Sequence, residues 1–207
     1  KKDEPIATGT CLILITPDSE RTMCTFLGTA GKINENDVEA EVVKKSEITF
    51  LEGYLWDEGD PKRAFDKAII NSNKVAMSLS DLFCVERHRE NFLDLVKNKL
   101  DIIFANEQEI ISLTNSKSFD DVISFSKDLN KEIVITRGAK GAVSISNNQV
   151  ITCRAKENLK LVDLTGAGDL FAAGYLHGYI NNLSTEDCLD KGTELSSKII
   201  QKIGARI

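Results

Sequence analysis

The residues best suited to chemistry form one short segment, Asp-Leu-Thr-Gly-Ala-Gly-Asp at positions 163–169. Small residues at Gly166, Ala167 and Gly168 allow a backbone to approach an anion closely. If a helix begins there, its first N–H groups and the positive end of its dipole converge on that anion. Asp169 then lies in the first turn, where its carboxylate can face the nucleophile that attacks the anion. The segment therefore predicts an anion-binding turn with a general base beside it.

Spacing tests two other interpretations of glycines in this chain. A dinucleotide-binding GxGxxG fingerprint fails because Phe171 stands where the third glycine belongs. A Walker A loop fails because Val143 stands five positions after Gly138, where that motif requires glycine. A plain tight turn with Asp169 as the helix N-cap stays open, since Asp is a favoured N-cap residue.

The elements that would position this segment alternate along the chain. Two β-rich runs, 10–16 and 22–27, flank turn residues 17–21, which predicts a β-hairpin. Short apolar strands then alternate with amphipathic helices; we predict strands at 48–51, 75–79 and 101–105, and helices at 62–71, 87–100, 107–113 and 119–129. Strand followed by helix, repeated, indicates a mostly parallel sheet covered on both faces.

Near Glu132 this alternation stops. Three short strands follow one another with only turns between them, at 133–136, 142–146 and 149–153, which predicts an antiparallel edge. A further apolar strand is expected at 160–164, before a helix over residues 169–178. A last helix is predicted at 185–202, with Gly204 as its C-cap.

Composition limits the class of protein. The 207 residues are 42% hydrophobic and 28% charged, as in an ordinary globular protein, and this length suits one main domain. A formal net charge of −6 without a basic cluster argues against nucleic-acid binding. The longest apolar runs are far shorter than the roughly 20 residues needed to cross a bilayer, so we expect no membrane segment.

Further expectations concern the compartment, the chain start and the aromatic residues. Five cysteines are scattered without a CxxC pair, which predicts free thiols in a reducing cytoplasm. The opening at Lys1 has neither Met nor an apolar signal segment, which suggests a fragment. Residues 52–56 form a predicted strand end that opens into a loop and could approach a ligand, although we favour packing of Tyr54 and Trp56 in the core.

Residues 163–171 resemble the C-terminal signature of the ribokinase-like (PfkB) sugar and nucleoside kinases. Three further segments occur in the order which that family requires, at 8–23, 106–109 and 136–141. Residues 80–89 are similar to the bacterial adenosine-kinase-like branch. The resemblance covers nearly the whole chain.

The resemblance implies a three-layer α/β/α fold with a mostly parallel sheet, an antiparallel edge hairpin and a partial β lid. Residues 8–29 would form the lid and residues 30–207 the C-terminal nucleotide-binding core, while the N-terminal part of the family domain is absent from this sequence. An exposed edge of this lid would be prone to pair with another chain, because it carries the apolar residues Leu12, Ile13, Leu14 and Phe26, so we expect a homodimer through the lid.

In that family the last Asp of the signature is the catalytic base and the preceding turn is the anion hole. The resemblance therefore implies that Asp169 is the base and that Gly166, Ala167 and Gly168 form the anion hole. It also implies that Asp163 and Thr165 hold a monovalent cation, K⁺, as in some members.

The other two matching segments imply a nucleotide and metal site. Asn106 and Glu109 would organise the Mg²⁺ shell and the ATP phosphates through water. The same two residues also fit a helix capping box, and both roles can hold at once. Thr136, Gly138 and Gly141 would line the nucleotide site, the alternative being a plain hairpin turn.

The implied activity is transfer of the γ-phosphate of ATP, with Mg²⁺, to a hydroxymethyl group of a nucleoside or sugar, as in adenosine kinase. A ribokinase or fructokinase is one alternative, and a non-catalytic nucleotide-binding protein is another. An intact Asp169 argues against the latter, because a pure binder needs no base beside an anion-binding turn.

Overall fold

A computed structural model of the chain describes residues 5–207. The strands are β1 Thr10–Ile15, β2 Arg21–Phe26, β3 Thr49–Glu52, β4 Val75–Ser78, β5 Ile102–Asn106, β6 Glu132–Thr136, β7 Ala142–Ser146 and β8 Gln149–Cys153. The α-helices are α1 Ala40–Lys45, α2 Asp60–Asn71, α3 Leu82–Arg87, α4 Arg89–Asn98, α5 Glu107–Thr114, α6 Phe119–Asp128, α7 Ala167–Ile180 and α8 Thr185–Ile199. No helix within the described residues is both long and apolar enough to cross a membrane.

Six strands form one mixed sheet in the order β3-β4-β5-β6-β7-β8. Strands β3 to β6 are parallel, because helices carry the chain back between them. Strands β7 and β8 run antiparallel, because only tight turns connect β6 to β7 and β7 to β8. The predicted mostly parallel sheet with an antiparallel edge is confirmed.

Side chains on the two faces of the sheet enter two separate cores. Along β6, Ile133 and Ile135 belong to one core, whereas Val134 between them belongs to the other. Alternation along a strand requires this division. The first core is completed by side chains of α4, α5 and α6, and the second by side chains of α7 and α8. The result is the expected three-layer α/β/α arrangement.

The hairpin β1–β2 forms a two-stranded sheet of its own. Its strands pair from Thr10 opposite Phe26 to Ile15 opposite Arg21, which confirms the predicted hairpin. Almost every position on both strands is exposed. The division into a lid at 8–29 and a core at 30–207 stays a prediction.

Two sequence predictions near the C-terminus are wrong. Residues 160–164 form no strand, because the amides of Val162 and Asp163 donate to the carbonyl of Ile200, at 2.8 and 3.3 Å, rather than to a sheet neighbour. Helix α8 ends at Ile199 and Ile200 is its C-cap, so Gly204 is not. Gly204 instead has a φ of 90° and donates its N–H to the Asp163 carboxylate.

Two helix predictions also need correction. The helix predicted over residues 87–100 is broken at His88, whose φ and ψ of −120° and 24° end α3 and begin α4. The His88 ring packs against the buried Trp56 ring, with 4.6 Å between centroids. Helix α7 begins at Ala167, two residues before the predicted start.

Candidate active site

A cavity of about 250 Å³ opens at the carboxyl edge of the parallel strands. Crevices at this edge are where open α/β sheets bind ligands, because the loops after the strands meet there. Strands β3 to β6 each contribute a terminal residue, and the lid hairpin and the start of α7 close the sides. The lining residues used below are Arg21, Met23, Glu52, Tyr54, Asn106, Glu109, Thr136, Thr165, Gly166, Gly168, Asp169 and Phe171.

The start of α7 presents unpaired amides to this cavity. Gly166 is the N-cap in a left-handed conformation, with a φ of 80°. The amides of Gly166, Gly168 and Asp169 donate to no described residue. The amide of Ala167 differs, since it donates to the Leu164 carbonyl at 3.2 Å. The amides of Gly166, Gly168 and Asp169 are therefore available to a ligand, whereas that of Ala167 is not, and the anion hole predicted at Gly166, Ala167 and Gly168 stays a prediction.

The Asp169 side chain is exposed on the cavity wall. Its carboxylate has no hydrogen-bond or ion-pair partner within residues 5–207. The alternative of Asp169 as N-cap is wrong, because Gly166 takes that position and no side chain caps this helix. The carboxylate is thus free to accept a proton from a ligand.

A buried carboxylate holds the turn that precedes α7. Asp163 is 1% exposed and accepts hydrogen bonds from the amide and the hydroxyl of Thr165, at 2.9 and 2.6 Å. Its other oxygen accepts from the Gly204 amide at 2.8 Å. Burial raises the pKa of Asp163, but these hydrogen bonds outweigh it and leave the pKa below its usual range. The role of Asp163 and Thr165 as K⁺ ligands stays a prediction.

Asn106 and Glu109 form the capping box at the start of α5. Asn106 accepts from the Glu109 amide at 2.8 Å, and Glu109 accepts from the Asn106 amide at 2.9 Å. The Asn106 side-chain amide also donates to Glu109 at 2.6 Å. Glu109 is only 5% exposed, and burial raises its pKa to about 7, although the hydrogen bonds from Asn106 oppose the shift.

The donor set at this end of the cavity suits Mg²⁺ held through water. Both oxygens of Glu109 already accept hydrogen bonds from Asn106. No group of three or more acidic, histidine or cysteine side chains able to hold a metal ion occurs within the described part of the chain. Mg²⁺ keeps much of its hydration, and a carboxylate oxygen with one donor can still accept from a bound water. The metal role of Glu109 stays a prediction.

Of the predicted nucleotide-site residues at the end of β6 and in the turn after it, only some line the cavity. Thr136 lines the cavity at the end of β6, whereas Gly138 and Gly141 do not line it. Gly141 has a φ of 91°, and a Cβ there would lie 2.0 Å from the Cys153 carbonyl oxygen. These glycines build the turn into β7, and their nucleotide-binding role stays a prediction.

The family to which the chain belongs follows from comparison with known proteins. The family described as pfkB family carbohydrate kinase matches residues 1–207. The chain belongs to the pfkB family of carbohydrate kinases.

Solved structures with related sequences support this assignment. A probable sugar kinase from Rhizobium etli is 38% identical, with a TM-score of 0.89 over 96% of this chain. An adenosine kinase from Sinorhizobium meliloti is 37% identical, with a TM-score of 0.92 over 97% of this chain. The ribokinase-like α/β fold is thereby confirmed.

The pfkB chain is shorter than these relatives. It spans 62% and 63% of the two structures' lengths. A curated relative from Archaeoglobus fulgidus, described as an uncharacterized sugar kinase, is 26% identical over 200 residues, which cover 96% of this chain and 79% of its own length.

Sequence reasoning missed several cavity residues of this pfkB protein. Tyr54 was expected in the core, but it is 48% exposed and lines the cavity, while Trp56 is buried as expected. Glu52, which begins the segment that could approach a ligand, also lines the cavity, and so do Arg21 and Met23, which were not predicted as site residues.

Proposed function

We propose that the protein is an ATP-dependent phosphotransferase that moves the γ-phosphate of ATP to a hydroxymethyl group of a nucleoside or sugar. One observation carries this proposal: unpaired amides of Gly168 and its neighbours and the unpartnered carboxylate of Asp169 face the same cavity. An anion site and a base within one water-accessible space are the two parts that phosphoryl transfer to an alcohol requires.

In the proposed reaction the acceptor hydroxyl lies against Asp169, which takes the proton as the oxygen attacks the γ-phosphorus. The new O–P bond forms as the bond to the ADP oxygen breaks, and ADP leaves with that electron pair. The amides of Gly166 and Gly168 stabilise the charge on the transferred group. Bound Mg²⁺ supplies charge neutralisation at the phosphates. Asn106 and Glu109 would hold it through water.

The lid and the aromatic wall favour a nucleoside as acceptor. Tyr54 is half exposed and lines the cavity, as do Met23 from the lid and the largely buried Phe171 from α7. A planar base can pack against such apolar surfaces, whereas a free sugar uses them poorly. The name of the adenosine kinase from Sinorhizobium meliloti supports the same acceptor class. A ribokinase- or fructokinase-type acceptor is the second candidate.

Two expectations about the whole protein remain proposals. We expect a homodimer through the lid, because the outer face of β1 and β2 exposes Leu12, Leu14 and Phe26 at 63%, 52% and 55%. A cytoplasmic location also stays a prediction.

The test is an acceptor panel with the natural full-length protein. ATP labelled at the γ-phosphate is supplied with Mg²⁺ and with adenosine, cytidine, ribose or fructose, and products are identified by mass spectrometry. We expect a nucleoside phosphorylated on its hydroxymethyl group. Phosphorylation of the free sugars alone would instead favour the sugar kinase, and ATP binding without any phosphorylated acceptor would favour the non-catalytic alternative.

A further inference from the structure

Arg137 and Glu107 form an ion pair beside the cavity, and the reaction proposed above gives this pair no role. Nitrogens Nε and Nη2 of Arg137 donate to the two carboxylate oxygens of Glu107, each at 3.0 Å. The two side chains are only 21% and 23% exposed. Such a bidentate contact fixes both the distance and the direction between its partners. Neither residue lines the cavity, so any effect of the pair on a ligand must pass through neighbouring residues.

The residues that precede the pair in the chain do line the cavity. Strands β5 and β6 pair in parallel up to their last residues, where Asn106 lies opposite Thr136, and both of these line the cavity. Glu107 then begins α5, and Arg137 begins the turn into β7. From here the backbone ladder no longer holds the two segments together, because one continues as a helix and the other as a turn. The ion pair continues the contact between them.

Further contacts hold Arg137 in this position. Its N–H donates to the Gly141 carbonyl at 2.8 Å, and its carbonyl accepts from the Lys140 amide at 3.1 Å, which closes the turn. Its guanidinium carbon lies 3.6 Å from the centroid of the Phe119 ring, at the start of α6. Hydrogen bonds from Arg137 are the main cause that holds the pKa of Glu107 below its usual range, although burial opposes them. The pair is therefore charged at neutral pH and held on both sides.

We propose that the Arg137–Glu107 pair positions the ATP-binding end of the cavity by holding Thr136 at a fixed distance from the capping box of α5. This inference rests on the proposed phosphotransfer, in which that capping box holds Mg²⁺ through water. A nucleotide that contacts Thr136 and is bridged to the capping box through Mg²⁺ meets both segments at once. Loss of the pair should therefore weaken the binding of ATP with Mg²⁺, because the two segments can then move apart.

The acceptor should not depend on this pair. Tyr54 and Met23, which line the cavity where the acceptor base is proposed to pack, belong to the segment after β3 and to the lid. Strand β4 separates β3 from β5 in the sheet. A positioning role thus predicts a change in the affinity for ATP alone, whereas a general loss of stability would not distinguish between the two substrates.

The test uses variants of the pair in the natural full-length protein. Arg137→Met keeps an apolar stem against Phe119 and removes the guanidinium group, whereas Arg137→Lys keeps the charge and loses the planar fork. Glu107→Gln and the double variant Arg137→Met with Glu107→Gln complete a double-mutant cycle. The matched control is Asp66→Asn, which breaks two partly buried ion pairs on α2, away from the cavity.

Calorimetry measures the Kd of each variant for the β,γ-methylene analogue of ATP, with Mg²⁺ and with EDTA. We expect Arg137→Met to raise the Kd with Mg²⁺ about tenfold, and Arg137→Lys to raise it less. The double variant should bind about as weakly as the weaker single variant, because both substitutions remove the same contact. The loss should be smaller in EDTA, because the capping box acts on ATP through Mg²⁺. Asp66→Asn should bind the analogue normally, and KM for the acceptor that the panel identifies should stay within about twofold.

The inference is overturned if Arg137→Met leaves the Kd unchanged, if its loss is as large in EDTA, or if KM for the acceptor rises equally. An equal loss of affinity in Asp66→Asn would also overturn it, because stability alone would then explain the effect. Denaturant unfolding reports whether each variant is folded, and Arg137→Lys decides the question if Arg137→Met does not fold. The binding comparison needs no turnover. A natural protein that binds the analogue but phosphorylates no acceptor would contradict the proposed function, while the Kd values would still decide this inference.

Discussion

At the residue scale, the candidate anion hole depends on backbone amides. Glycine suits such a site because it has no side chain to occupy the space beside them. Gly168 has a helical conformation, and a Cβ at this position would meet no atom within 4 Å. Gly168 also lines the cavity. Gly166 differs, because its φ is 80° and a Cβ there would lie 3.0 Å from the Ala205 side chain.

These two glycines should therefore respond differently to the same substitution. We expect Gly168→Ala to leave the free energy of unfolding within about 1 kcal/mol of the natural value, since alanine favours a helix. Its methyl group should lower kcat/KM by about 10²-fold by blocking the phosphate. Gly166→Ala should lower both stability and activity. Denaturant unfolding and steady-state kinetics measure the two effects. Unchanged kinetics for Gly168→Ala would show that the phosphate does not bind at this turn.

The sequence could predict the position of residues that adjoin a recognisable strand or helix. Asp169, Asn106, Glu109 and Thr136 each follow or begin an element recognisable by periodicity, and the structure brings all four to the cavity. Tyr54 was misplaced because its neighbours look equally apolar in the sequence. Only the packing of Trp56 beneath the loop decides which ring points inward.

At the element scale, the turn between β6 and β7 fixes the antiparallel edge of the sheet. Gly138 and Gly141 both have positive φ, at 56° and 91°. Gly138 has open space around a hypothetical Cβ, whereas Gly141 faces the Cys153 carbonyl oxygen at 2.0 Å. The first glycine relieves strain only, and the second also makes room for β8.

Alanine at these two positions should separate strain from steric exclusion. Gly141→Ala should lower the free energy of unfolding by about 2–4 kcal/mol, because both the backbone angle and the approach to Cys153 are violated. Gly138→Ala serves as the matched control and should cost about 1 kcal/mol. Urea denaturation measures both, and equal costs would contradict the close approach.

A pair of salt bridges at Asp66 joins α2 to the end of α4. Asp66 accepts from Lys62 at 2.8 Å and from Lys99 at 3.0 Å. Burial raises the pKa of Asp66, but the two lysines outweigh it and leave the pKa below the usual 3.8. An acid with a lowered pKa stabilises the fold above its unfolded pKa and loses that contribution as the pH falls through the folded value.

Asp66→Asn should accordingly lower the free energy of unfolding by about 1 kcal/mol at pH 7. The difference from the natural protein should shrink as the pH falls below about 4, where the natural carboxyl also becomes neutral. Salt should reduce it at pH 7. Unfolding measured between pH 3 and pH 7 tests this, and a difference that grows toward low pH would contradict the assigned sign.

Element boundaries were predictable where periodicity and turn chemistry agreed. The strands β5 to β8 and the helices α5 and α6 lie within one or two residues of their predicted positions. The strand predicted at 160–164 was wrong, because an apolar run predicts that a segment is buried but does not show which segment its backbone pairs with. Here the partner is the end of α8, through the Ile200 carbonyl, which no local pattern in residues 160–164 reveals.

At the scale of the whole molecule, the cavity is assembled from segments far apart in the chain. The lid contributes Arg21, the strand ends contribute Glu52, Asn106 and Thr136, and α7 contributes Asp169. A parallel sheet brings these together because its carboxyl ends share one edge. The order of the motifs indicated the family, but the sequence could not show which lid and β3 side chains face the cavity, because long-range packing decides that.

Since Asp169 is proposed as the base that takes the proton of the acceptor hydroxyl, Asp169→Asn in the natural full-length protein tests the proposed reaction at its centre. Asp128→Asn, at the exposed end of α6, is the control. We predict that kcat falls by about 10²–10⁴ for Asp169→Asn, with KM for ATP little changed, and that the control is unaffected. A variant that retains near-normal kcat would contradict the assignment of Asp169 and the reaction built on it.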